Sequence, residues 1–170
     1  MNKLISVAAV ALLLISPACN TVDDDRLPTM PVNISLSPDA MWISYGVPSY
    51  GDFRYFIKSE RQPQGYPYTD RTATGFGGVL LINGVNPYTS EAGVPLAYDL
   101  SCPYERKPDI RVRMEGDGVL LEAVCPKCGS HYNVMEAGGS ATSGPARDEK
   151  LGMTRYECVR SQYGGYVVIN

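Results

Sequence analysis

Ile110-Arg111-Val112-Arg113-Met114, the turn Glu115 to Gly118, and Val119-Leu120-Leu121-Glu122-Ala123-Val124 form the stretch that decides the fold. The first five residues alternate apolar and basic, so every second side chain falls on one face of a strand. The polar turn then sends the chain back along itself to Cys125, which predicts an antiparallel hairpin. Upstream, Pro95 to Leu100 reads as a strand that delivers the chain to Cys102. Before it, Gly78 to Ile82 reads as a short buried strand, with Asn83-Gly84 as a turn signal. Residues 59–75 are polar and punctuated by Pro63, Gly65 and Pro67, which predicts a long loop. Phe53 to Lys58 reads as a strand, and so does Met41 to Tyr45, ended by Gly46 and Pro48. Downstream, His131 to Val134 is a strand, Gly138 to Asp148 a loop, and Arg155 to Val159 with Tyr166 to Ile169 a hairpin about Gly164-Gly165. No long stretch holds a 3.6-residue period, and no internal repeat is present. The expectation is one antiparallel all-β domain over residues 41–170.

Composition agrees with that reading. A chain of 170 residues, 44% hydrophobic and 19% charged, suits one globular domain. Seventeen Gly, thirteen Pro and twelve Tyr suit short strands and turns better than long helices. A formal net charge of −3 lacks the basic face that nucleic acid requires, so no nucleic-acid partner is expected. The single histidine, His131, excludes any site needing two imidazoles from one chain.

The N-terminus reads as a targeting segment. Met1-Asn2-Lys3 is a short positive start, and Leu4 to Ile15 is an apolar run shorter than the roughly 20 residues that span a bilayer. Ser16-Pro17-Ala18-Cys19 follows and resembles a bacterial lipoprotein signal, although Ser16 stands where Leu is commoner; a plain secretory signal is the alternative. Residues 1–18 are then the signal peptide, Cys19 the acylated anchor, and 19–40 a flexible acidic tether containing Pro28, Pro31 and Pro38. Asp23-Asp24-Asp25 resembles the acidic tract that sends some Bacteroidetes lipoproteins to the cell surface. The expected location is the cell envelope, lipid-anchored to the outer membrane, with an unidentified envelope protein or ligand as partner.

The remaining four cysteines carry most of the chemical information. Cys102 lies in one loop (100–106), as Ser101-Cys102-Pro103-Tyr104; the second loop (124–131) reads Cys125-Pro126-Lys127-Cys128-Gly129-Ser130. A Cys-x-x-Cys-Gly turn can point two sulfurs at one metal ion. Cys102 is a candidate third ligand, with Cys158 or His131 as the fourth. A lone strand cysteine such as Cys158 reads more readily as a small core hydrophobe, and His131 as a part-exposed strand residue. In an exported protein these thiols can instead be oxidised, the simplest bond joining Cys102 to Cys125 or Cys128.

The order of these parts resembles a Rieske iron–sulfur domain. That family has a Cys-x-His loop, about two strands, a Cys-x-x-His-Gly-Ser loop, an aromatic strand, and a Gly-Pro-Ala segment before the closing strands. Here Cys102-Pro103-Tyr104, Cys125 to Ser130, His131-Tyr132-Asn133, Gly144-Pro145-Ala146, Leu151 and Tyr156 follow that order, over about residues 78–170. The resemblance implies a Rieske-like antiparallel sandwich with a small two-loop cysteine subdomain. It also implies that Cys102 and Cys125 stand at the family's Cys ligands, while Tyr104 and Cys128 stand at its His ligands. A Rieske cluster needs that His pair on one iron, so the usual cluster does not form.

No other chemistry has a supporting motif. Gly-x-Ser-x-Gly is absent, and Gly75-Phe76-Gly77-Gly78 lacks the Lys and helix of a phosphate loop. Asp99, Glu105 and Glu122 read as solvated surface carboxylates. Tyr45, Tyr50, Tyr55, Tyr66 and Tyr68 read as half-buried strand residues rather than a carbohydrate-binding face. The expectation is a non-catalytic binding or structural module without a cofactor and not an enzyme. The alternative is a redox or metal protein holding zinc or an altered 2Fe–2S cluster through Cys102, Cys125 and Cys128.

Overall fold

In the computed structural model, which describes residues 22–117 and 121–170, two antiparallel sheets share one run of apolar chain. The seven-stranded sheet has the order β2-β4-β5-β10-β11-β1-β3, and the four-stranded sheet the order β6-β7-β8-β9. The first sheet comprises β1 (Val32–Leu36), β2 (Phe53–Phe56), β3 (Ala73–Thr74), β4 (Val79–Val85), β5 (Ala92–Asp99), β10 (Arg155–Arg160) and β11 (Tyr166–Ile169). The second comprises β6 (Arg113–Glu115), β7 (Glu122–Val124), β8 (His131–Asn133) and β9 (Ser140–Ser143). The large sheet nearly closes on itself: Lys58, just past β2, donates through Nζ to the Thr72 carbonyl, just before β3, at 2.7 Å. The predominance of antiparallel β structure is as expected. The signal segment, Cys19 and the hairpin residues Val119 and Leu120 lie outside the described residues.

β4 explains how the two sheets are joined. Val79, Leu80, Leu81 and Ile82 are all fully buried, the continuous apolar run of a strand covered on both faces. Leu80 and Ile82 pack with Leu96, Tyr98 and Leu100 into the core beneath the small sheet. Val79 and Leu81 pack with Ile34, Leu36, Phe56 and Val168 into a second core inside the large sheet. The side-chain period of two thus feeds one strand into two cores.

Four local expectations are corrected. The second half of the segment read as a tether is β1, whose buried Val32, Ile34 and Leu36 alternate with exposed residues and which pairs with β11 in the sheet. Three scattered prolines outweighed that short alternation. Met41 to Tyr45 is not a strand but part of helix α1 (Asp39–Tyr45). Tertiary contacts override the β-prone composition: the Trp42 and Tyr166 rings lie 4.7 Å apart, and Asp39 Oδ1 accepts the Gly165 N–H at 2.7 Å. Asn83-Gly84 does not turn; β4 runs through it. A Cβ on Gly84 would lie 2.5 Å from the Met135 carbonyl oxygen, so this glycine serves a close backbone approach. Gly138 to Asp148 is not all loop either, since it contains β9 and a single-turn helix α2 (Pro145–Asp148).

Candidate metal centre

The first cysteine loop leaves the end of β5, where Asp99 anchors it. This carboxylate is fully buried and accepts hydrogen bonds from the Phe76 N–H (2.9 Å), the Ser101 N–H (2.8 Å) and the Tyr156 hydroxyl (2.6 Å). The Gly77 N–H completes the set, at 3.1 Å from Oδ1. A buried side chain with four donors orders the chain on either side of it. Asp99 is therefore no solvated surface group, which corrects the sequence reading; its signal was its position between a buried strand and the cysteine. The Cys102 N–H then bonds to the Ile110 carbonyl at 3.0 Å, closing the loop.

The second loop is a tight turn between β7 and β8. The Cys125 N–H bonds to the Ser130 carbonyl at 2.9 Å and the Gly129 N–H to the Cys125 carbonyl at 3.0 Å. Gly129 sits at φ +68°, the left-handed backbone that glycine adopts without strain. The Gly144-Pro145-Ala146 segment braces this turn from behind: the Ala146 N–H donates to Ser130 Oγ at 3.1 Å. Gly144, at φ +76°, allows the approach, because a Cβ there would stand 2.8 Å from Ser130 Cα. Outside, Lys127 Nζ of the second loop pairs with Glu105 of the first at 2.5 Å.

Together these contacts bring the sulfurs of Cys102, Cys125 and Cys128 within 4.8 Å of one another. Cys102 and Cys128 Sγ are 3.6 Å apart. The expected disulfide is not formed: Cys102, Cys125, Cys128 and Cys158 are all free thiols. The 3.6 Å separation far exceeds the S–S bond length of about 2.05 Å. It is close to the roughly 3.8 Å edge of a tetrahedron built on metal–sulfur bonds of about 2.3 Å.

Polar groups converge on the sulfurs. Tyr132, fully buried, places its hydroxyl 3.2 Å from Cys102 Sγ. Backbone N–H groups of Lys127 and Cys128 point at Cys125, and that of Glu105 at Cys102. Ser130 Oγ lies 3.2 Å from Cys128 Sγ. The three thiols consequently differ. Burial pushes the Cys102 thiol up to about 12 and also raises Cys125. Partial burial pushes Cys128 the same way, but hydrogen bonds from the Ser130 side chain and N–H and from the other two cysteines outweigh it and hold the thiol below its ordinary value. Burial thus works against ionisation at Cys102 and Cys125, while the hydrogen bonds at Cys128 favour it there.

The other candidate ligands fall elsewhere. Cys158 packs from β10 into the second core, on the same strand face as Tyr156, and burial pushes its thiol up to about 12. His131 Nδ1 lies 3.0 Å from Glu122 Oε2 across β7 and β8, and Glu122 Oε1 accepts from Thr142 Oγ1 at 3.0 Å. Tyr104 is exposed at the rim, 38% accessible. Beside the site, an open groove of about 710 Å³ runs from Pro126 and Lys127 past Arg111 to Tyr55 and Met114. The residues present do not fit a Rieske cluster: the site gathers three cysteine sulfurs, and the single histidine, His131, is paired with Glu122 instead. Three sulfurs at the spacing of a single ion also differ from two ligand pairs divided between two irons. No protein-family model, curated protein or solved structure matches this chain.

Proposed function

We propose that this chain is a metal-binding envelope lipoprotein whose Cys102, Cys125 and Cys128 thiolates hold one thiophilic ion, zinc foremost, on a Rieske-like scaffold. The observation that carries this reading is the convergence of three unbonded cysteine sulfurs within 4.8 Å. Thiolate is a soft ligand that selects zinc and other thiophilic ions over magnesium or calcium. A cation also removes the conflict among three sulfurs at this spacing, displacing the protons of Cys102 and Cys125. Three protein thiolates leave a fourth position for water or an outside ligand. Signal-like residues 1–18 and Cys19 support delivery to the envelope and a lipid tether. Among the described residues, no helix is long and apolar enough to cross a membrane. The meeting of the sulfurs favours this reading over the binding or structural module expected from sequence alone.

Purification without oxygen, followed by elemental analysis and cobalt loading, tests the proposal. The expected result is about one zinc or cobalt per chain, with the intense near-ultraviolet thiolate-to-cobalt band of a sulfur-rich site. Cys125→Ser should lose most of that binding, and Cys158→Ser should retain it. Visible colour with about two irons per chain would instead assign a cluster. Cobalt binding unaffected by Cys125→Ser would place the metal elsewhere.

A further inference from the structure

The metal reading leaves open how such a site responds to oxidants, and here the three cysteines are not equivalent. Cys102 and Cys125 are fully buried, whereas Cys128 is half-buried and reachable from solvent. Cys128 is also the sulfur poised 3.6 Å from Cys102, a buried thiol on a different loop. Ser130 Oγ, which accepts the Ala146 N–H at 3.1 Å, also lies 3.2 Å from Cys128 Sγ and holds that sulfur in place. Cys125 touches both other sulfurs, but it is fully buried and also faces the backbone amides of its own tight turn. A reachable sulfur with a second sulfur behind it is the arrangement that thiol–disulfide exchange requires.

We propose that Cys128 and Cys102 form a reversible inter-loop disulfide by exchange with small-molecule or protein disulfides, and that its formation expels the bound ion. In the first step the Cys128 thiolate attacks one sulfur of a disulfide RSSR. A Cys128–SR mixed disulfide forms and RS⁻ departs. In the second step Cys102, giving up its proton to solvent, attacks Cys128 Sγ. The Cys102–Cys128 bond forms and the second RS⁻ leaves. Two cysteine sulfurs are oxidised and one disulfide is reduced to two thiols, so electrons balance with no other reactant. The sulfurs must close from 3.6 Å to about 2.05 Å, a movement within the reach of two loops joined by no covalent bond. Cys125 is then the only remaining thiolate, and one sulfur does not retain zinc. This release step rests on the metal reading above; the exchange chemistry does not.

The sequence supplies a clean test. Trypsin cuts after Arg106, Lys127, Arg147 and Arg155, so Cys102, Cys125, Cys128 and Cys158 fall in four different peptides. The whole chain, zinc-loaded and zinc-free in parallel, is treated with oxidised glutathione, alkylated and mapped without reduction, while a colorimetric chelator reads free zinc. A Cys102–Cys128 linked pair of peptides is expected in the zinc-free sample, with Cys125 and Cys158 alkylated. In the loaded sample zinc release should rise in step with that linkage, and reductant should reverse both. In Cys102→Ser the reaction should stop at a glutathione adduct on Cys128. A Cys125–Cys128 linkage, or persistent glutathione adducts in the unaltered chain, would overturn the proposal. If the linkage forms but no zinc binds, the metal reading fails and the exchange survives. If zinc binds and no linkage forms, the reverse holds.

Discussion

At the scale of single residues, the distinguishing feature is that three identical thiols are made chemically different by their surroundings. Burial raises the Cys102 thiol to about 12 from a reference of 9.0, with the hydrogen bond to the Tyr132 hydroxyl working the other way. A group whose folded value is raised contributes stability fully below the reference value and loses it as pH rises through the folded value. The ion-free chain should therefore lose stability between pH 9.0 and about 12. Cys128 has the opposite sign: its depressed value adds stability above the ordinary thiol range and withdraws it as pH falls. Guanidinium unfolding at a series of alkaline pH values checks this, with Cys102→Ala as reference. The unaltered ion-free chain should show the steeper loss, and equal slopes would remove Cys102 as the cause. Zinc should flatten the dependence, because its ligands are already deprotonated. The Cys-x-x-Cys-Gly spacing was legible in the sequence as half a metal site. The difference among its thiols was not, because it arises from Tyr132, Ser130 and burial, which come from elsewhere in the chain.

At the scale of elements, β1 shows how a short alternation can be hidden by its flanks. Ile34 and Leu36 are fully buried, and β1 sits between β11 and β3 in the sheet. Tyr66 also donates its hydroxyl to the Ser35 carbonyl at 3.0 Å, tying the long 59–75 segment to the strand. Ile34→Ala should cost about 2–5 kcal/mol, the usual range for emptying a buried aliphatic site. A urea titration with circular dichroism reads it, and a cost under about 0.5 kcal/mol would mean that β1 is indeed dispensable. The hairpin of β10 and β11 about Gly164-Gly165 forms where the sequence places it, pairing Val159 with Val167 and Arg160 with Tyr166. Its strands are adjacent in the chain, and its turn chemistry is local. α1 failed the same kind of reading because Trp42 and Asp39 find their partners over 100 residues away, in the β10–β11 hairpin.

At the scale of the whole molecule, β4 couples the cysteine cluster to the rest of the fold. Leu80 and Ile82 support the cysteine loops, while Val79 and Leu81 support the large sheet. Two cores that share a fully buried strand should unfold together. The single tryptophan, Trp42, packs against the second core and reports on it by fluorescence; cobalt absorption reports on the cysteine loops. The two signals should change at the same denaturant concentration when the cobalt concentration is held fixed. Loss of the cobalt signal well before that of Trp42 would show that the small sheet melts independently.

The sequence by itself determined the β class, the hairpin ending and the two cysteine loops, because each depends on residues adjacent in the chain. Period-two alternation, paired glycines and a two-residue cysteine gap are local signals. Only the tertiary structure decided that Cys102 meets Cys125 and Cys128 without bonding to them, that Cys158 and His131 stay apart, and that Asp99 is buried. Those outcomes depend on how β4 and β5 carry one loop across to another more than 20 residues away, and on which strand face each side chain occupies. No local pattern encodes such a meeting; packing and register set it.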